Sequence, residues 1–147
     1  MEISNTIPNM ERILLLRRVP LFADLSPIDL QRVAAIAREE DFTDGEIICE
    51  QGEPGNEMYV IVSGEVRIVV HLEDGAQKEI ARRSAGDVVG EMAILSGETR
   101  IASVTADGDV FVLSLDRLSF ESLLRERPEV SLAVMRELCH RLKQLTP

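Results

Sequence analysis

Between Gly86 and Val104 the chain reads Gly-Asp-Val-Val-Gly-Glu-Met-Ala-Ile-Leu-Ser-Gly-Glu-Thr-Arg-Ile-Ala-Ser-Val, and this run holds the residue types best suited to gripping an anion. A short apolar strand stops at Gly90, a helical turn begins at Glu91, and Arg100 comes just before strand character resumes at Ile101. The first N–H groups of a helix lack intrahelical partners and carry partial positive charge, so a turn starting behind a glycine aims bare donors at whatever lies in front of it. Arg100 adds a planar, permanently charged fork that can hold a phosphate bidentately. Glu91 would repel a phosphate but can accept from hydroxyls, and a ribose 2′-OH is such a target. Small side chains at Ala102 and Ser103 would let backbone N–H and a hydroxyl reach phosphate oxygens. Because Arg100 is read as a ligand contact outside the core, Arg100→Leu is expected to leave the unliganded protein nearly unchanged. The bland alternative for Glu91 and Arg100 is a surface ion pair worth roughly 0–1 kcal/mol, which explains neither Gly90 nor the small residues after Arg100.

Other chemistries are poorly provided for. The two histidines, His71 and His140, form no His-x-His pair, so no metal site is expected, and no Ser-His-Asp or Cys-His arrangement can be assembled. Cys49 and Cys139 belong to no Cys-x-x-Cys pattern and read as buried free thiols, which points to a reducing, cytoplasmic compartment. A net charge of -10 argues against direct nucleic-acid binding. It also requires that any positive charge offered to a phosphate be local, which places more weight on Arg100. No run approaches the ~18 apolar residues of a membrane span, and no signal peptide is recognisable. Neither cofactor nor catalysis is expected.

The elements that must position the run follow from its punctuation. All nine glycines lie between Gly45 and Gly108, which divides the chain into helix, strand-rich middle and helix. Residues 1–9 read as a flexible tail and 10–147 as one domain, with helices in 10–40, strands in 42–115 and two C-terminal helices in 116–145. Glu11 to Arg18 is a short helix. Ser26-Pro27 caps a second, whose face of Leu30, Val33, Ala34 and Ala37 carries it to about Glu39. From Phe42 the period is two: Met58 to Ser63 is apolar on both faces, Val66, Ile68 and Val70 alternate with Arg67, Val69 and His71, and Glu73-Asp74-Gly75 turns a hairpin into Lys78–Arg82. Val88-Val89, Ala102–Thr105 and Val110–Leu115 complete a mainly β jelly roll. Gly52 and Gly55 read as turn formers. Asp116 caps a helix, Pro128 starts the last one, and Val130, Val134, Met135, Leu138, Leu142 and Leu145 form a stripe that either covers the roll or runs on as a dimer seam or lid.

Gly90-Glu91-Met92-Ala93-Ile94-Leu95 followed by Arg100-Ile101-Ala102-Ser103-Val104 resembles the phosphate-binding cassette of the cyclic nucleotide-binding domain family. Val19-Pro20-Leu21-Phe22, Phe42-x-x-Gly45-Glu46, Gln51-Gly52-Glu53-Pro54-Gly55, Tyr59-Val60-Ile61-x-x-Gly64 and Gly86-Asp87 stand in the family's order, so the resemblance covers roughly Leu16 to Leu142. It implies a sensor that binds cAMP or cGMP through Gly90, Glu91, Met92, Ala93, Arg100, Ile101, Ala102 and Ser103 and answers through its C-terminal helix, where a homodimer partner or effector domain would meet it. Ile101 stands where members favouring cGMP often carry threonine, which leans the expectation toward cAMP. Thr99 replaces a common proline, implying a less rigid loop. The base is usually read on or beyond the last helix, close to where this sequence stops, so base selectivity is expected either to be poor or to be supplied by a neighbouring subunit. A transcription factor of this type would need a helix-turn-helix after the last helix, for which this sequence is too short, so in any longer parent protein this piece is expected to be the sensor. The alternative is a degenerate domain of the same fold that binds no nucleotide and serves for docking or assembly.

Overall fold

The structure is a computed structural model that describes residues 7–145; residues 1–6 of the expected tail lie outside the described residues. Two helices, α1 (Asn9–Arg17) and α2 (Pro27–Ile36), lead into strands β1 (Arg38–Phe42), β2 (Ile47–Cys49), β3 (Glu57–His71), β4 (Gln77–Ser84) and β5 (Val88–Val89). Helix α3 (Glu91–Ser96), strand β6 (Ser103–Asp116), and helices α4 (Arg117–Glu126) and α5 (Pro128–Leu145) follow. The strands form one antiparallel network in the order β1-β6-β3-β4, with β2 on β6 and β5 on β3.

The caps act as their residue types require. Ser26 Oγ accepts from the Asp29 N–H at 3.2 Å, and an Asp116 carboxylate oxygen accepts from the Ser119 N–H at 2.9 Å. Helix α2 stops three residues short of the expected Glu39. Ala37 is extended, and Arg38–Phe42 pairs with Val110–Ser114 as a strand. Tertiary pairing overrides helix propensity there, and the buried Arg12 of α1 donates to the carbonyls of Ala34 and Ala37, supplying partners to the helix end.

Strand β3 shows why a segment apolar on both faces sits at the centre. Met58 and Val60 pack on the helices with Leu16, Phe22, Leu30, Phe120 and Val130, whereas Tyr59 and Ile61 pack inside the roll with Val66, Val104, Val110 and Val112. An edge contact between Phe22 and Phe120, ring centroids 6.1 Å apart, ties the N-terminal helices to α4. Further along β3 the simple alternation fails. Only Val66 and Val69 are buried there, and a bulge shifts the register with β4 between Ile68 and Val69. The two segments expected at Ala102–Thr105 and Val110–Leu115 are one continuous strand, β6.

Helix α5 is buried only at its start. Val130, Ala133 and Val134 are core, Leu138 is partly buried, and Met135, Leu142 and Leu145 are exposed. Arg127, just before α5, donates to the buried Asp29 of α2 at 2.8 Å, so this near end is held by packing and by a charged pair.

Candidate functional site

Strand β5 ends at Gly90, which takes φ of 82° as the N-cap of α3. A Cβ there would stand 2.5 Å from Arg100 Nη1 and 3.1 Å from the Glu57 carbonyl oxygen, so glycine is required both by the left-handed backbone and by the space. Gly55 is more than a turn former: a Cβ on it would lie 2.2 Å from that of Ala93. This close approach seats the 52–56 loop on α3.

That loop also braces the segment carrying Arg100. The Gly52 N–H donates to the Arg100 carbonyl at 2.9 Å, the Arg100 N–H donates to the Glu53 carbonyl at 2.8 Å, and Pro54 bridges Thr99. The loop expected to loosen without a proline is thus tied by backbone pairing at Thr99 and Arg100.

Arg100 is only 8% exposed. Its Nη1 donates to the Gly90 carbonyl at 3.0 Å and its Nη2 to the Glu57 carbonyl at 2.7 Å. The guanidinium therefore knits β5, β3 and the cassette together, and the expectation that its loss would leave the unliganded protein unchanged is corrected. A partner at the front of the guanidinium must be an acceptor, because the back is already occupied by two carbonyls.

In front of it lies a cleft of about 300 Å³ whose walls include Gly90, Glu91, Met92, Ala93, Arg100, Ile101 and Ala102, seven of the eight residues expected at the site. Ser103 is placed elsewhere: its side chain is buried and its Oγ accepts from the Gln51 N–H at 3.0 Å. Successive residues of a strand face opposite ways, so Ala102 and Val104 face the cleft and Ser103 does not. Ile101 is 78% exposed, so it lines the cleft at its rim. The rest of the lining is largely apolar, with Ile68, Ile80, Val88 and Val89 prominent.

Glu91 is buried, and its Oε2 accepts from Arg141 Nη1 of α5 at 2.9 Å. Arg141 Nε also donates to Glu137 at 3.2 Å. Burial by itself would lower the Arg141 pKa, but the hydrogen bonds and charges of Glu91 and Glu137 outweigh it and raise it. Arg141 thus joins the far half of α5 to the one carboxylate lining the cleft. Sequence reasoning missed it, although it lies three residues after Leu138 and seven after Val134, on the stripe's own face. Arg83 of β4, also missed, lines the same cleft.

Cys49 backs the same cleft. Burial pushes its thiol up to about 11, which keeps it protonated and unreactive at neutral pH. Cys139 is exposed on α5, correcting the expectation of two buried thiols. Tyr59, buried beside Cys49, also has its pKa raised, first by burial and then by the neighbouring Cys49 and Glu57. Among the described residues no group of three or more His, Cys, Asp or Glu could hold a metal ion, and no helix is long and apolar enough to cross a membrane.

A glycine-capped turn, a nearly buried arginine and a carboxylate thus share one largely apolar cleft. The family model described as "Cyclic nucleotide-binding domain" matches residues 39–127, more than half of the chain. The chain belongs to that family. It is 30% identical over 130 residues, 88% of its own length, to the CRP-like cAMP-activated global transcriptional regulator of Mycobacterium tuberculosis. The chain spans 58% of that relative's length. In fold it is similar to the N-terminal domain of a transcriptional regulator from Streptomyces coelicolor A3(2), with a TM-score of 0.80 and 30% identity over 90% of this chain and 94% of that one. It is also similar to the regulatory domain of Toxoplasma gondii PKA crystallised with cAMP, with a TM-score of 0.78 and 28% identity over 90% of this chain and 50% of that one. The N-terminal helices, antiparallel β roll and C-terminal helices are those of the family, as the resemblance implied.

Proposed function

We propose that this domain is a cyclic-nucleotide sensor in which α5 reads the occupancy of the cleft. The observation that carries the reading is Arg100, whose guanidinium is anchored from behind by the carbonyls of Gly90 and Glu57 while it lines the cleft beside Glu91. A cyclic phosphate sits before Arg100 and the amides following Gly90, the ribose lies at Glu91, and the base takes the apolar remainder. Ile101 offers no hydroxyl to a base, which is the ground on which the resemblance favours cAMP. It bears on one edge of the ligand only. The free thiols suit a cytoplasmic setting.

Transmission follows from the second contact on Glu91. A ribose hydroxyl and Arg141 address the same carboxylate, so ligand binding changes how the far half of α5 is held. No catalytic step is part of this reading. The exposed residues Met135, Leu142 and Leu145 are where an effector domain or second subunit would meet the moving helix.

The test is a thermal melt with cAMP, cGMP and AMP. A ligand that binds only the folded state at a hundredfold excess over Kd stabilises it by ~2.7 kcal/mol. Both the singly charged ring and its fit before Arg100 are lost in AMP, so cyclic nucleotides are expected to raise the melting temperature and AMP is not. A cooperatively melting protein that no cyclic nucleotide shifts would instead be a docking module of the same fold.

A further inference from the structure

Two adjacent arginines on β4 have opposite fates. Arg82 lies across from Arg67 and points outward, where it meets Glu65 at 2.8 Å, Glu79 at 2.9 Å and Asp107 at 2.6 Å. Arg83 lies across from Val66, which is completely buried. Directly opposed residues of an antiparallel pair project from the same face, so Arg83 is sent toward the interior of the roll, and it lines the cleft beside Ala81 and Ile80. Its head is exposed at the mouth. Among the described residues its only hydrogen bond is from Nη1 to the Arg82 carbonyl at 2.9 Å, and it makes no ion pair.

The cleft therefore faces two arginines without carboxylate partners, Arg83 and Arg100, while its one carboxylate, Glu91, is taken by Arg141. A cyclic monophosphate has one charge, and Arg100 meets it. A second phosphate does not fit the remaining space, because about 300 Å³ is at the small end of ligand sites and holds one mononucleotide. What is left for Arg83 is the edge of the base. Guanine presents two acceptors there, O6 and N7, matching a guanidinium fork, whereas adenine presents N7 beside an N6 amino donor that meets the fork donor to donor.

Resting on the nucleotide-binding reading above, we infer that Arg83 is the specificity-determining residue of this site and selects a guanine over an adenine cyclic nucleotide. The apolar wall of Ile68, Ile80 and Val88 supplies purine contact without discrimination, and Arg83 supplies the discrimination. This outweighs the argument from Ile101, which only removes a hydroxyl at the rim.

Isothermal titration of the full chain with cGMP, cAMP, cyclic inosine monophosphate and 7-deaza-cGMP tests it. cGMP is expected to bind about ten- to a hundredfold tighter than cAMP. Cyclic inosine monophosphate, which keeps O6 and N7 but lacks the 2-amino group, should track cGMP, and 7-deaza-cGMP should lose most of the preference. Arg83→Leu should erase the preference by weakening cGMP much more than cAMP, and Arg83→Lys should restore little of it because one ammonium cannot fork. Arg83→Gln serves if the leucine variant fails to melt cooperatively. An unchanged cGMP-to-cAMP ratio in these variants, or a wild type that prefers cAMP, would overturn the base assignment while leaving nucleotide binding intact. Absence of binding by every cyclic nucleotide to the folded wild type would overturn both.

Discussion

Replacing Arg100 with leucine separates two roles that the structure gives one side chain. Leucine keeps part of the apolar stem but no donor, so the carbonyls of Gly90 and Glu57 lose the guanidinium bonds of 3.0 and 2.7 Å. Burying a charge is costly, and replacing a buried ion pair by apolar groups is often neutral. Here, however, the acceptors are backbone carbonyls that stay behind in the interior, and a hydrogen bond to a charged group is worth about 1.5–3 kcal/mol. The two bonds share one donor group and do not add fully, so the expected loss is about 2–4 kcal/mol. For 147 residues the unfolding entropy is about 0.3 kcal/mol/K, making each kcal/mol worth roughly 3 °C.

The assay is a pair of melts, with and without cyclic nucleotide, backed by urea unfolding. Unliganded Arg100→Leu should melt roughly 6–12 °C below wild type. It should also lose the gain of about 9 °C that saturating ligand gives wild type at a hundredfold excess over Kd. Arg100→Lys should recover part of the stability through one donor and little of the ligand shift. An unliganded melt within about 2 °C of wild type would refute the anchoring argument. A ligand shift that survives would refute the phosphate assignment.

Gly90→Ala should abolish the ligand shift and cost about 1–3 kcal/mol, since it forces a side chain into φ of 82° and onto Arg100; a normal ligand-induced melt would contradict this. Asp116→Ala should cost about 1 kcal/mol at neutral pH through the lost cap of α4. The Ser119 N–H bond holds the Asp116 carboxyl below its ordinary value of 3.8. Its stabilisation is therefore complete above that value and lost as pH falls through the lower folded value, so the gap between wild type and Asp116→Ala in urea unfolding should close in acid. One thiol per chain, Cys139, should react promptly with a disulfide reagent at pH 8, and Cys49 only after unfolding, because its thiol stands at about 11 behind the cleft; two fast equivalents would contradict its burial. Hydrogen exchange should change on ligand binding in residues 134–145 more than in 128–133, because only the near end of α5 is fixed by core packing and by Asp29; identical exchange throughout would place the switch elsewhere.

Much of this fold is written locally. Ser26-Pro27, Asp116 and Pro128 mark helix starts through their own side chains, and Glu73-Asp74-Gly75 closes its hairpin within a few residues, Asp74 accepting from the Ala76 N–H at 2.9 Å. What required the tertiary structure was competition. The end of α2 was set by β6, which takes Arg38–Phe42 as a strand, and by Arg12, which comes from another helix to hold the carbonyls of Ala34 and Ala37. Neither influence has a local sign, and an apolar Ala37 in helical phase argued the other way.

The cleft divides along the same line. Gly90, Glu91 and Arg100 stood out because turn, carboxylate and guanidinium are separated by short stretches of chain. Ser103 was misplaced because strand alternation must be counted from an anchor, and the anchor is the Gln51 N–H from a loop 52 residues away. Arg83 shows how little can decide such a matter. At the hairpin end His71 lies opposite Gln77, and carrying that register back unbroken would set Arg82 opposite Val66 and turn Arg83 outward. The bulge at Ile68 and Val69 inserts one residue into β4 and exchanges the two arginines. Arg82 then satisfies three carboxylates on the surface, and Arg83 brings its charge to the cleft. A one-residue irregularity in a hairpin, with no composition signal of its own, thus decides which of two adjacent arginines lines the cleft.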